Sequence, residues 1–228
     1  MSSPGALIAG EPRATPAAPS LVWKPEPIVA RASLAELYAR AQPFEVEAGS
    51  GDGSFLIQYA KAHPERNFLG IERLLGRLRK TDRKGLRAGL TNLRVLRLEA
   101  AYSVEFLLPP AAASAVHVYF PDPWPKRRHR QRRLVNEAFV ASVVRALQPG
   151  GHLYLRTDDA DYYAQMIEVC AACRDLAPAE TPAELAAFIT DFERHFLAAG
   201  QTTHHLAYTR KAKESGSLLG PTALISSS

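Results

Sequence analysis

Two cysteines in 228 residues leave no disulfide framework, and no apolar run approaches the ~18–20 residues that a membrane span requires. A charged-then-apolar leader is also missing, because the first twenty residues, MSSPGALIAGEPRATPAAPS, are broken by four prolines. These absences predict a reducing, cytoplasmic setting. Charged residues are 22% of the chain against 46% hydrophobic, which excludes a wholly disordered or collagen-like protein. A chain of this length buries roughly 70% of its unfolded surface, so its core needs no metal or disulfide staple.

Acidic residues are scarce in two places. Residues 126–133, KRRHRQRR, carry six positive charges and no negative one. Residues 73–87, RLLGRLRKTDRKGLR, carry seven positive and one negative. The formal net charge is only +5, so the remainder sums to −7 and the protein reads as an acidic body with two basic patches. That asymmetry favours a polyanionic partner. In the second patch Arg73, Arg77, Lys80, Lys84 and Arg87 recur at helical spacing, with Leu75, Leu78 and Leu86 predicted toward the core. One such stripe is most often a solvated helix face; two in one acidic chain point to nucleic acid.

Residues 1–30 hold six prolines among small residues and read as a flexible tail, with one domain over 31–228. Ser33 and Glu36 form a capping-box pattern. Strand-like and helix-like segments then alternate. FEVEA (44–48), NFLGIE (67–72), NLRVLRL (92–98), SAVHVYF (114–120), HLYLRT (152–157) and TTHHLAYT (202–209) read as strands. Helical patterns lie between them, including 132–147, the segment DDADYYAQMIEVCAAC, and 182–199. This rhythm predicts an α/β fold, a doubly wound and mostly parallel sheet with helices on both faces.

Glycines 49, 51 and 53 directly follow the first of these strands and open a helix, where a backbone can turn tightly against a ligand. The spacing is Gly-x-Gly-x-Gly, neither the dinucleotide fingerprint nor a phosphate-binding P-loop. Acids end the first three strands: Glu47, Glu72, placed to take ribose hydroxyls, and Glu99, placed to accept an adenine amine. Carboxylates without a phosphate site fit S-adenosylmethionine, which carries a ribose, an adenine, an ammonium and a sulfonium but no phosphate. A glycine turn with surface acids is the plainer alternative.

Tyr119-Phe-Pro-Asp-Pro-Trp-Pro-Lys126 stands at the carboxyl end of the fourth strand pattern, where such sheets react. Its three prolines stiffen the loop around Asp122 and Trp124, which can hold a base by its donor edge and its face. The cations that follow supply phosphate contacts. FPDPWPKRRHRQRR resembles the signature of the bacterial tRNA (guanine-N7)-methyltransferase family, with similarity running from about Phe44 to Gly200. The resemblance implies the seven-stranded, Rossmann-like class I methyltransferase fold and S-adenosylmethionine as donor. It further implies methyl transfer to N7 of a variable-loop guanine, position 46, of tRNA. Carried over residue by residue, Glu47 and Glu72 are the cofactor acids, with Gly49 and Gly51 between them. Asp122 is the motif carboxylate, facing donor and base, and Lys126 the loop lysine. Asp158, after Thr157, is a substrate contact, and Thr190-Asp191-Phe192-Glu193 is the substrate motif, with Asp158 and Glu193 holding the base. Glu99 departs from an expected aspartate.

Guanine N7 has a free lone pair and no proton to lose, so the chemistry needs in-line positioning and a carboxylate near the developing charge, not a strong base. Asp122 is the candidate for that role. Cys170 and Cys173 are read as small core residues, since no second pair completes a zinc site. His204 and His205 point to opposite sides of a strand and share no metal, so no metal is assigned. Other readings stay open: methyl transfer to another RNA or DNA base, a tRNA-binding relative without catalysis, or a small-molecule methyltransferase. The sequence does not separate a monomer from a homodimer.

Overall fold

Val46 and Ala48 point to one side of their strand and Glu45 and Glu47 to the other, and all four are buried. Both faces of that strand must therefore be covered, the condition of a parallel sheet between two helix layers. The computed structural model, which describes residues 19–212, meets it. The strands are β1 (Val22–Trp23), β2 (Phe44–Ala48), β3 (Asn67–Ile71), β4 (Leu93–Leu96), β5 (Ala113–Tyr119), β6 (Leu147–Thr157), β7 (Leu176–Ala179) and β8 (His204–Arg210). The helices are α1 (Leu34–Leu37), α2 (Ser54–Ala62), α3 (Leu75–Arg87), α4 (Ala100–Tyr102), α5 (Glu137–Ala146), α6 (Ala160–Ala172), α7 (Ala183–Ala187) and α8 (Asp191–Ala198).

The sheet order is β1-β4-β3-β2-β5-β6-β8-β7, with β8 antiparallel to both its neighbours. The chain winds outward from β2 through β3 to β4, then returns to β5. That reversal opens a crevice beyond the carboxyl ends of β2 and β5. On one face Val46, Val116, Val118 and Leu153 pack with Phe139, Val140 and Val143 of α5 and Met166 and Cys170 of α6. On the other, Phe55, Leu56 and Tyr59 of α2 and Leu185 of α7 meet Phe68, Tyr119 and Tyr154.

The seven expected strands are joined by an eighth. Residues 19–30, expected within a flexible tail, place Leu21 in the core and pair Val22 and Trp23 with Val95 and Leu96 at the sheet edge. Residues 1–18 of the expected tail, and 213–228, lie outside the described residues. The helix expected over 132–147 begins later, at Glu137, where the Asn136 side chain accepts the Phe139 N–H (3.0 Å). Leu147 already belongs to β6, which also takes in Gln148-Pro149-Gly150-Gly151. The helix expected over 182–199 is two, because the backbone extends at Phe188 and restarts at Thr190. Ser33 stands before α1 without the side-chain hydrogen bond of a capping box. Of the leucines predicted inward on the basic helix, only Leu78 is fully buried; Thr81 and Gly85 complete that face.

Candidate active site

A cleft of about 340 Å³ opens where the sheet reverses, and Gly49, Glu72, Glu99, Tyr119, Asp122 and Trp124 are among the residues lining it. Gly49 and Gly51 have φ of +90° and +56°, the left-handed region that disfavours a side chain, and nothing lies within 4 Å of where a Cβ would stand. The loop thus turns sharply while leaving space beside its backbone.

The three strand-end acids differ in environment. Glu72 is buried and accepts the N–H groups of Gly51 (3.0 Å) and Leu74 (2.7 Å), so it clamps the glycine loop to the start of the basic segment. Glu99 is exposed on the cleft wall and caps α4 by accepting the Tyr102 N–H (2.7 Å). Glu47 is 3% exposed, and its Oε2 has no hydrogen-bond partner. Burial pushes its carboxyl up to about 8; Arg156 opposes this, while Glu72 and Asp52 add to it.

Asp122 projects from the loop after β5 with most of its side chain in solvent, and its nearest cation is Arg73 across the cleft (3.9 Å). Two open charges at that distance interact weakly. The loop is held in an unusual shape: Phe120 and Trp124 have φ of +50° and +44°, costing about 1–2 kcal/mol each. Packing holds it there. Phe120 lies against Phe196, Arg132 covers the Trp124 ring (5.0 Å), and Arg133 donates to the Pro123 carbonyl (2.7 Å).

Arg133 belongs to the basic run but is 1% exposed. It also pairs with Asp161 (2.7 Å), donates to Gln165 (2.8 Å) and stacks on Tyr162 (4.7 Å). Lys126, Arg127 and Arg128 remain exposed, as does Arg132 over its tryptophan. In the second basic patch Lys84 of α3 is tied to Asp52 (2.9 Å), whereas Arg77 of α3 and Arg73 just before it line the cleft.

Glu47, Gly51 and Lys126 are not among the residues that line this cleft, and neither are the remaining sequence-predicted residues. Asp158 is exposed at the end of β6, next to Asp159, which caps α6. Asp191 donates its N–H to Ser54 Oγ (3.1 Å), which brings α8 against the glycine loop, and Phe192 is half exposed beside it. Thr190 and Glu193 are buried: the threonine oxygen accepts the Glu193 N–H (2.9 Å), and Glu193 pairs with Arg156 (2.8 Å) and His205 (2.8 Å). Sequence reading missed Arg156 and Asp161, and counted Arg133 only among the phosphate-contacting cations of the basic run. The one available signal was an arginine inside the otherwise apolar HLYLRT strand.

His204 stacks on Tyr163 while His205 turns to Glu193, so the adjacent histidines serve different neighbours. Cys170 is buried, and burial chiefly, with Cys173 adding, pushes its thiol up to about 12. Among the described residues no cluster of three or more His, Cys, Asp or Glu is gathered to hold a metal, and no helix is long and apolar enough to cross a membrane.

Residues 41–206 match the model of a family described as "Putative methyltransferase". The chain is 34% identical over 200 residues to a tRNA (guanine-N(7)-)-methyltransferase of Syntrophotalea carbinolica, covering 86% of each. Among solved structures it resembles the 16S rRNA methyltransferase KamB, with TM-score 0.57 and 18% identity over 78% of this chain and 93% of that one. It also resembles a 16S rRNA (adenine(1408)-N(1))-methyltransferase from Catenulisporales acidiphilia carrying its cosubstrate SAM, with TM-score 0.52 and 17% identity over 79% and 92%. At these identities the two structures speak for the fold alone.

Proposed function

The chain belongs to the tRNA (guanine-N7)-methyltransferase family, and we propose that it moves a methyl group from S-adenosylmethionine to N7 of guanine 46 in the tRNA variable loop, in the cytoplasm. The observation that carries this reading is the shared cleft: the glycine loop, two strand-end acids and the Asp122 carboxylate line one opening, with exposed cations at its rim.

The residues fit the donor. Gly49 and Gly51 leave open space beside the backbone, and the orphaned Glu47 Oε2 is a buried acceptor suited to a cationic ligand. Glu47 would hold the ammonium end. Glu72 keeps lone pairs beyond its two backbone bonds for ribose hydroxyls, and Glu99 faces the cleft for the adenine amine. When bound, the donor supplies an electrophilic methyl on a sulfonium. The chain need not remove a proton, because N7 attacks with a lone pair. Asp122 stabilises the positive charge that develops on the imidazole ring, and the stiff loop fixes its distance from the glycine crevice. Trp124 offers a face for the base, with Lys126, Arg127 and Arg128 to position phosphates; Asp158 and Phe192, outside the cleft lining, are exposed and open to substrate.

The test is incubation of unmodified tRNA transcript with labelled donor, followed by borohydride–aniline cleavage, which cuts at N7-methylguanosine. Label at guanine 46 is the expected result; label elsewhere, or none, would overturn the reading. Asp122→Ala is expected to lower turnover by about 10²–10³-fold while cofactor affinity changes little. A proportional loss of both would make Asp122 a cofactor-holding residue instead.

A further inference from the structure

The glycine loop after β2 makes a tight turn, closed by the Gly53 N–H on the Ser50 carbonyl (2.9 Å), with Gly51 and Asp52 as its central residues. The basic helix α3 lies against this turn. Thr81, in the middle of the helix, is fully buried and fills the space behind Gly53, where a Cβ would stand 2.7 Å from its Cγ2. One turn further along, Lys84 reaches across to Asp52. Its Nζ donates to the Asp52 carboxylate at 2.9 Å and to the Asp52 carbonyl at 3.1 Å. A single ammonium thus ties both the side chain and the backbone of a central residue of the turn.

The other cations of α3 are placed differently. Arg77, Arg79, Lys80, Arg83 and Arg87 are exposed, and among the described residues none of them has an ion pair. The one acid of the helix, Asp82, is turned to the N-terminal segment, where it accepts the Leu21 N–H (2.7 Å). Its own helix therefore offers Lys84 mainly like charges, and the partner it takes is the glycine loop.

We propose that Lys84 is a positioning residue: through Asp52 it holds the Ser50–Gly53 turn in the shape that receives the donor, and so sets donor affinity. The inference rests on the reading that this loop takes S-adenosylmethionine. The Lys84 and Asp52 side chains are 41% and 33% exposed, so the pair adds little to global stability. Its two bonds act on the turn instead. Without the ammonium, Gly51 and Asp52 sample other conformations in the free chain, and binding must order them again.

The test is titration calorimetry of S-adenosylmethionine into the cofactor-free full chain. Lys84→Met is expected to weaken donor binding about three- to fivefold. Asp52→Asn weakens it too, and the double variant loses no more than the more affected single. Lys84→Arg, which keeps the charge and its N–H donors, restores most of the affinity. Arg83→Met removes a neighbouring cation without an ion pair and leaves donor affinity at the parent's value. In steady state the donor KM of Lys84→Met rises by the same factor as its calorimetric constant, while kcat at saturating donor and the urea midpoint stay with the parent. Equal donor affinity in parent and Lys84→Met, additive losses in the double variant, or the same loss in Arg83→Met would each overturn the proposal. Hydrogen exchange in the donor-free chain separates this inference from the reading it rests on. Exchange of the Gly53 amide is expected to quicken in Lys84→Met while that of Leu69 in β3 is unchanged. A parent that bound no donor would sink the methyl-transfer reading; a Gly53 amide indifferent to Lys84→Met would sink the hold on the turn.

Discussion

Glu45 and Glu47 stand two residues apart on one face of β2, 4% and 3% exposed, yet only the first has partners. Glu45 accepts from Arg66 (2.9 Å) and meets His117 Nε2 (2.8 Å), whose Nδ1 continues to the Tyr119 hydroxyl (2.8 Å). Burial alone would raise the Glu45 carboxyl; the hydrogen bonds and charges of His117 and Arg66 outweigh it and hold the group below the usual carboxylate range. Glu47, at the carboxyl end of the strand, is raised instead. The sheet is satisfied at one end of this face and left wanting at the other. The unsatisfied end is the one that borders the cleft.

The largest effect expected from breaking this contrast is at the satisfied end. Glu45→Ala leaves His117 and Arg66 without their carboxylate and should cost about 3–5 kcal/mol in urea denaturation at pH 7. Because the Glu45 pKa is depressed in the folded state, its contribution is present above the unfolded carboxylate value and lost as pH falls through the folded one. The parent should therefore lose stability on acidification more steeply than the variant. Methyl transfer per folded molecule should survive, since the Glu45 carboxylate is already committed to Arg66 and His117 at the end of β2 away from the glycine loop.

The opposite sign is expected two residues on. The folded-state pKa of Glu47 lies above its unfolded value, so whatever stability its proton confers is held at low pH and lost as pH rises toward 8. Glu47→Gln removes that loss and should stabilise the cofactor-free protein at pH 7 by up to about 3 kcal/mol, read by urea denaturation. Donor affinity should fall in the same protein. A variant that lost both stability and affinity would show that Glu47 is structural and erase the contrast.

The sequence made the contrast hard to see. FEVEA locates the strand but gives both acids the same alternation, because nothing local tells a carboxylate under α2 from one in water. The glycine turn, the loop that carries Asp122 and the succession of the main strands along the chain were readable from spacing and turn chemistry. Elements fixed by distant partners were not. Val22–Trp23 becomes a strand only because β4 offers an edge, and β7 contains Pro178, which a sheet tolerates on an edge strand. Likewise Thr190 and Glu193 are polar residues in a recognised motif, and only the fold reveals that Arg156 has already taken the carboxylate.

The same division between satisfied and open groups runs through the basic segment, where all six cations look alike in sequence. Arg127 and Arg128 have open side chains; Arg133 is enclosed between Asp161, Gln165, Tyr162 and the Pro123 carbonyl. If the open cations contact phosphates, each neutralisation removes one released counterion. Arg127→Gln or Arg128→Gln should then flatten the dependence of log tRNA affinity on log salt by about 0.7–0.9. Arg133→Gln should leave that slope unchanged, because a guanidinium already bonded on all sides releases no counterion from the tRNA. Its loss would instead free the Pro123 carbonyl and relax the loop that aims Asp122, lowering turnover at saturating tRNA. Equal changes of slope for Arg127, Arg128 and Arg133 would mean that the enclosed arginine opens on binding.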